Sequence, residues 1–117
     1  MSFASPADDY LEGKLSLDAL LIQNKEATFF VRAKGDCMTG AGISDGDLLV
    51  VDRSLTPAPG SIVIAVIDGE LIVRRLSERD GSVILQPENP AYKEMAFKDG
   101  EELQVWGTVT SAIKRFI

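Results

Sequence analysis

The chain has 117 residues, enough for one domain with a single core, and 45% are hydrophobic against 26% charged. Its 18 acidic and 12 basic residues give a formal net charge of −6. This charge disfavours direct strong DNA binding, because non-specific affinity comes from neutralising phosphates with lysine and arginine. One cysteine and no histidine exclude an intramolecular disulfide, histidine-based catalytic triads and most zinc sites. We therefore predict neither a metal nor a cofactor.

The N-terminal part of the chain predicts an arm followed by a short helix. Residues 1–15 mix proline, alanine, aspartate and glycine without a period, and we expect a flexible N-terminal arm there. Residues 16–117 are predicted to form the single domain. Leu17, Leu20 and Leu21 have the i, i+3, i+4 spacing of a short helix, with Ser16 as its N-cap.

Targeting signals are missing from the sequence as read. No stretch approaches the roughly 20 apolar residues that a membrane span requires. The first ten residues lack the basic start and apolar core of a secretion signal. We therefore expect no membrane association and a cytoplasmic location.

From residue 26 onward the pattern is that of short strands. The pair Asp68-Gly69 separates two apolar runs, and Asp-Gly supplies the positive φ values that a tight hairpin turn needs. A second turn is predicted at 79–81. About six strands with turns at short intervals favour a mostly β, sandwich- or barrel-like fold. The predicted strands lie at 27–33, 47–51, 61–67, 70–76, 82–88 and 103–113.

The segment 34–52, KGDCMTGAGISDGDLLVVD, contains the most informative loop. Taken alone, its glycines and aspartates indicate turns, since both residue types favour them for local reasons. Its carboxylates lack the spacing and the closing glutamate of an EF-hand calcium loop. Without further context, Cys37 is more often a small packed residue than a nucleophile.

The same loop resembles the active-site loop of the LexA/UmuD family of self-cleaving SOS proteins, the S24-type peptidases. That loop reads G-D-S-M, an interval, then G-I-x-D-G-D-L, and Gly35, Asp36, Met38 and the run 42–48 match it. The segments LLIQNKEATFFV, AVIDGE and PENPAY are similar to the UmuD branch of the family. The resemblance covers nearly the whole chain, and it implies a fold of several coiled β-sheets with a short N-terminal helix.

The resemblance implies that both catalytic positions of the family are replaced. The family uses a Ser-Lys dyad, in which a desolvated neutral lysine takes the serine proton. The serine falls on Cys37, and the lysine, thirty-seven positions further on, falls on Arg74. Cysteine can act as a nucleophile, but arginine does not release its proton in proteins. A fixed cation could favour a Cys37 thiolate, yet leaving-group protonation would lack a donor, so we expect no self-cleavage.

The resemblance further implies a binding role. Ser5-Pro6-Ala7 with Asp9-Tyr10 is similar to the start of the processed, short form in the UmuD branch. We therefore expect an already-processed accessory subunit of an error-prone Y-family translesion polymerase in the SOS response. The implied partners are a second copy in a homodimer, a UmuC-like polymerase and the RecA filament, with the sliding clamp and full-length UmuD-like chains as further candidates.

Two alternatives stay open at this point. The chain could be an S24-type peptidase that cleaves a UmuD-like partner in trans. It could also be the C-terminal dimerisation domain of a LexA-like repressor, which would require a helix-turn-helix domain upstream.

Overall fold

The computed structural model of the chain describes residues 16–98 and 101–117. The arm predicted at 1–15, including the segment similar to the start of a processed form, lies outside the described residues.

The described residues form a mostly β fold, which confirms the predicted fold class. Seven strands join in one hydrogen-bonded sheet in the order β1-β2-β7-β3-β4-β5-β6. All neighbouring pairs are antiparallel. The strands are β1 (Thr28–Arg32), β2 (Leu48–Asp52), β3 (Ile62–Ile67), β4 (Glu70–Arg79), β5 (Ser82–Gln86), β6 (Met95–Phe97) and β7 (Gln104–Ile113).

Strand β6 lies between the predicted strands 82–88 and 103–113, where the sequence predicts a loop, so that prediction is wrong. β6 has only three residues and pairs through Met95 with Leu85 and through Phe97 with Val83. The residues on either side of β6 are charged or favour turns. Three residues are too few to show the alternation of apolar and polar side chains that indicates a strand. Pairing with β5 therefore decides the conformation of β6.

The predicted helix is present and spans the three leucines, but it is less buried than their pattern indicates. Helix α1 spans Leu17–Leu21, with Leu17 65% exposed and Leu20 56% exposed. Ser16 occupies the N-cap position, but its side chain makes no capping hydrogen bond. In the described part of the chain, no helix is long and apolar enough to cross a membrane.

Two tight hairpins join β3, β4 and β5, as the sequence predicts. Asp68 and Gly69 have φ values of 51° and 79°, and Asp80 and Gly81 have φ values of 51° and 78°. Positive φ at both turn residues matches the right-handed twist of the flanking strands, which explains the Asp-Gly pairs. The turns fix the register that brings β4 beside the loop of Cys37.

The core lies on both faces of the central strand β3. Ile64 belongs to one buried cluster, together with Met38 and Leu49. Val63 and Ala65 belong to a second cluster with Leu85. Because successive side chains of a strand point to opposite faces, burial on both faces requires the continuous apolar run of β3.

Candidate functional site

The loop between β1 and β2 carries Cys37 and is closed at its base by backbone hydrogen bonds. The Ala33 N–H donates to the Asp47 carbonyl at 2.8 Å, and the Gly46 N–H donates to the Ala33 carbonyl at 2.8 Å. Met38, next to Cys37, is 2% exposed and packs in the first core cluster. The loop is therefore anchored at its base and at its middle.

Asp47 links this loop to the end of the chain. Its carboxylate accepts a hydrogen bond from the Ser44 N–H at 2.8 Å and forms an ion pair with Lys114. The hydrogen bond from Lys114, followed by that from Ser44, lowers the pKa of Asp47. Asp47, which matches the family's motif, thus joins the loop to the C-terminal segment.

A second loop, 87–92, packs along the first one. The Glu88 N–H donates to the Cys37 carbonyl at 2.8 Å, and the Gly40 N–H donates to the Glu88 carbonyl at 2.8 Å. The Asn89 side-chain amide donates to the Asp36 carbonyl at 2.8 Å. A Cβ atom at Gly40 would lie 2.6 Å from the Glu88 carbonyl oxygen, so this contact requires glycine.

Tyr92 completes the contact between the two loops. Its hydroxyl donates a hydrogen bond to the Asp36 carboxylate. The hydrogen bond and then the charge of Asp36 raise the pKa of Tyr92, because deprotonation would place two negative charges together. Tyr92 is therefore a structural donor and not a base at neutral pH.

Strand β4 brings Arg74 to Cys37. Arg74 Nη1 donates to Cys37 Sγ at 2.9 Å and to the Val73 carbonyl at 2.7 Å. The Arg74 residue is only 9% exposed. The next residue, Arg75, pairs with Glu88 through its Nε at 2.6 Å. The sequence-predicted residues Cys37 and Arg74 thus lie side by side, and Arg75 ties the same strand to the second loop.

The pair faces a cleft of about 420 Å³. The cleft lies between the end of β1, the Cys37 loop and the first half of β4. It is lined by Val31, Arg32, Lys34, Gly35, Asp36, Cys37, Ile64, Leu71, Ile72, Val73, Arg74 and Tyr92. A small molecule or an extended chain segment in this cleft would contact the thiol directly.

The hydrogen bond between Arg74 and Cys37 has the wrong direction for general-base catalysis. A base must accept the proton of the nucleophile, whereas the Arg74 guanidinium donates to sulfur and has no acceptor atom. Within the described ranges, Arg74 is the one side chain hydrogen-bonded to the thiol, and the thiol itself donates to the Val73 carbonyl at 3.8 Å. The contact with Arg74 would stabilise a thiolate, since a fixed cation favours the charged sulfur.

Sequence reasoning missed the residues that hold the site together. Asn89 and Tyr92 were part of a family-like segment, but nothing in their spacing placed them against Asp36. The signal that could have found them is the segment PENPAY itself, because a patterned polar loop in a β protein often supports a site. No three His, Cys, Asp or Glu side chains converge as a metal site in the ranges that the structure describes.

Comparison with known proteins identifies the family. The sequence profile described as Peptidase S24-like matches residues 1–110. The chain belongs to the peptidase S24-like family. This assignment agrees with the loop motif and with the mostly β fold, and it confirms the resemblance seen in the sequence.

Several S24-like relatives are similar to the chain over most of its length. Protein SamA of Salmonella typhimurium is 48% identical over 113 residues, which cover 97% of this chain and 78% of SamA. Protein ImpA of Shigella flexneri is 44% identical over 115 residues, covering 97% and 77%. Protein MucA of Escherichia coli is 40% identical over 114 residues, covering 95% and 76%. These three relatives are UmuD homologues within the LexA/UmuD family.

The similarity extends to the repressor branch of the S24-like family at lower identity. The LexA repressor of Geobacter metallireducens is 36% identical over 110 residues, which cover 93% of this chain but 54% of the repressor. The higher identity and fuller coverage of the UmuD homologues place the chain in a UmuD-type role.

Proposed function

We propose that the chain is an accessory subunit of an error-prone Y-family translesion polymerase in the SOS response, acting as a homodimer without cleaving itself. The observation that carries the proposal is the Cys37–Arg74 pair within a UmuD-like chain. A guanidinium lies 2.9 Å from the thiol, where the family's chemistry needs a neutral amine. A chain that keeps the fold and the cleft but lacks the base is suited to binding.

The negative charge of the chain supports a complex in which the partners, and not this chain, contact the DNA. At a net charge of −6, the chain would repel the phosphate backbone. DNA contacts therefore belong to a UmuC-like polymerase and to the RecA filament, with the sliding clamp and full-length UmuD-like chains as additional partners. The complex acts in the cytoplasm, where a translesion polymerase meets its template.

The experiment that tests the proposal measures the composition of the complex. The purified chain is mixed with a UmuC-type polymerase subunit, and mass and stoichiometry are measured by size exclusion with light scattering. We expect a stable complex that contains two copies of the chain per polymerase. A well-folded dimer that forms no complex with the polymerase would contradict the proposal.

A trans-acting peptidase is the second candidate, and one observation favours it. Cys37 is partly exposed in the cleft and lies beside a cation, which are the conditions that activate a thiol nucleophile. This candidate requires that the chain cleave an intact UmuD-like substrate when activated RecA is present. It also requires that Cys37→Ala abolish the cleavage. An intact substrate after incubation with the unmodified chain would exclude it.

A further inference from the structure

Arg74 is a buried cation without a carboxylate partner in the part of the chain that the structure describes. The Arg74 residue is 9% exposed, and its Nε has no hydrogen-bond partner among the described residues. Two carboxylates of the adjoining loops, Asp36 and Glu88, are engaged elsewhere. Asp36 accepts the hydroxyl of Tyr92, and the Glu88 carboxylate pairs with Arg75.

A buried charge without a counter-charge is unfavourable, because it loses its solvation by water. The protein interior compensates for this loss only when it provides a partner of opposite charge. The atom placed to supply that partner is Cys37 Sγ, which accepts from Arg74 Nη1 at 2.9 Å. A thiolate accepts this hydrogen bond better than a thiol does, since charge-assisted bonds are shorter and stronger. A buried guanidinium that has no carboxylate partner and donates to the sulfur therefore points to an anionic sulfur at this position.

We propose that Cys37 is a redox-modification site, held as a thiolate by Arg74 and oxidised by hydrogen peroxide to a sulfenic acid. The thiolate attacks one peroxide oxygen, so that an S–O bond forms while the O–O bond breaks. The sulfur gives up two electrons, and the transferred oxygen keeps its hydrogen. The other oxygen leaves as hydroxide and takes a proton from water.

The surroundings of the thiol allow this reaction. Cys37 is partly exposed and faces the cleft of about 420 Å³, which admits a molecule as small as peroxide. It is the single cysteine of the chain, so the sulfenic acid has no second thiol within the chain to form a disulfide. A small thiol from solution would reduce it through a mixed disulfide.

Other charged and titratable groups around the cleft also act on the thiol. Asp36 disfavours the thiolate, and Arg74, which donates to the sulfur at 2.9 Å, favours it. The charged and titratable side chains that line the same cleft are Arg32 of β1, Lys34 and Asp36 of the first loop, Arg74 of β4 and Tyr92 of the second loop. Among these side chains, Arg74 is the one that is hydrogen-bonded to the sulfur.

The first test traps the sulfenic acid. The unmodified chain is treated with hydrogen peroxide in the presence of a cyclic 1,3-diketone, and the adduct on Cys37 is measured by mass spectrometry. We expect labelling that Cys37→Ser abolishes. Arg74→Gln keeps a hydrogen-bond donor but removes the charge, and it should slow labelling by about tenfold or more.

A control variant separates the loss of the Arg74 charge from a general disturbance of β4. Arg79 lies on the same strand in an exposed pair with Glu94, so Arg79→Gln should leave the rate unchanged. Equal rates for Arg74→Gln and the unmodified chain would overturn the proposal.

A second measurement uses only the unmodified chain, so it holds even if the Arg74→Gln variant fails to fold. The rate of alkylation of Cys37 by iodoacetamide is measured between pH 8 and pH 6. An ordinary cysteine thiol slows by roughly 75-fold over this range, because the thiolate fraction falls with pH. We expect a smaller decrease for Cys37, because the Arg74 guanidinium lies 2.9 Å from the sulfur, and a decrease close to that of an ordinary thiol would contradict the proposal.

Discussion

A peptidase and a binding subunit differ in whether a neighbouring group can take the proton of the Cys37 thiol. A neutral lysine amine can take a proton from a nucleophile and later return it to the leaving group. The Arg74 guanidinium does neither, because it stays protonated and donates both hydrogen bonds of its Nη1. The arginine therefore places a fixed cation beside the thiol and removes the acid–base cycle.

Met38 shows how a residue next to the site supports it. It is 2% exposed in the core cluster that also holds Ile43. We expect Met38→Ala to lower the free energy of unfolding by about 2–5 kcal/mol, because it leaves a cavity under the loop. Urea denaturation measures the change, and Leu17→Ala, on an exposed helix residue, should change it by less than about 0.5 kcal/mol. Equal losses in the two variants would show that the loop is not anchored by this side chain.

Asp47 makes the stability of the loop depend on pH. Its pKa is lowered in the folded chain by Lys114 and Ser44, so its contribution is complete above the unfolded pKa of about 3.9. That contribution disappears as the pH falls through the folded pKa. We expect Asp47→Asn to reduce the urea midpoint at pH 7, and the difference from the unmodified chain to shrink below about pH 4.

The matched control for Asp47 is Glu70→Gln, at an exposed carboxylate. This control should show no such pH-dependent difference. A constant difference between Asp47→Asn and the unmodified chain across the whole pH range would contradict the assignment.

At the scale of elements, the hairpin of β3 and β4 delivers Arg74 to the site. Gly69 has a φ of 79°, a conformation that side chains with a Cβ avoid. We expect Gly69→Val to lower the free energy of unfolding by about 1–2 kcal/mol, measured by urea denaturation. Asp68→Asn, at a φ of 51°, is the control, because asparagine tolerates positive φ and should leave the stability nearly unchanged. Similar losses in both variants would contradict this explanation of the turn.

The elements that the sequence predicted are those with strong local signals. In the Asp-Gly turns and in the β-branched runs of β2, β3 and β5, the conformation is determined by residues that are close together in sequence. The pairing of Cys37 with Arg74 came from the resemblance to a family, since two residues so distant in sequence have no local reason to meet. Strand β6 and the contacts of Asn89 and Tyr92 depend on tertiary packing, and no pattern within those segments predicts them.

At the scale of the whole molecule, the acidic charge and the UmuD-like sequence support the same role. A small β domain with a net charge of −6 gains little from DNA itself but can bind a basic partner with electrostatic steering. Its exposed apolar side chains, which include Phe29, Phe30 and Leu55, offer contact area for a second copy or a polymerase. Under the proposed accessory role, the function of the chain lies in binding these partners.

The most direct test of the central claim is primer extension past an abasic site by a UmuC-type polymerase with RecA filaments, with and without this chain. We predict that extension beyond the lesion requires the chain, while an undamaged template is copied with much less dependence on it. Lesion bypass that is equally low or equally high with and without the chain would contradict its assignment as an accessory subunit.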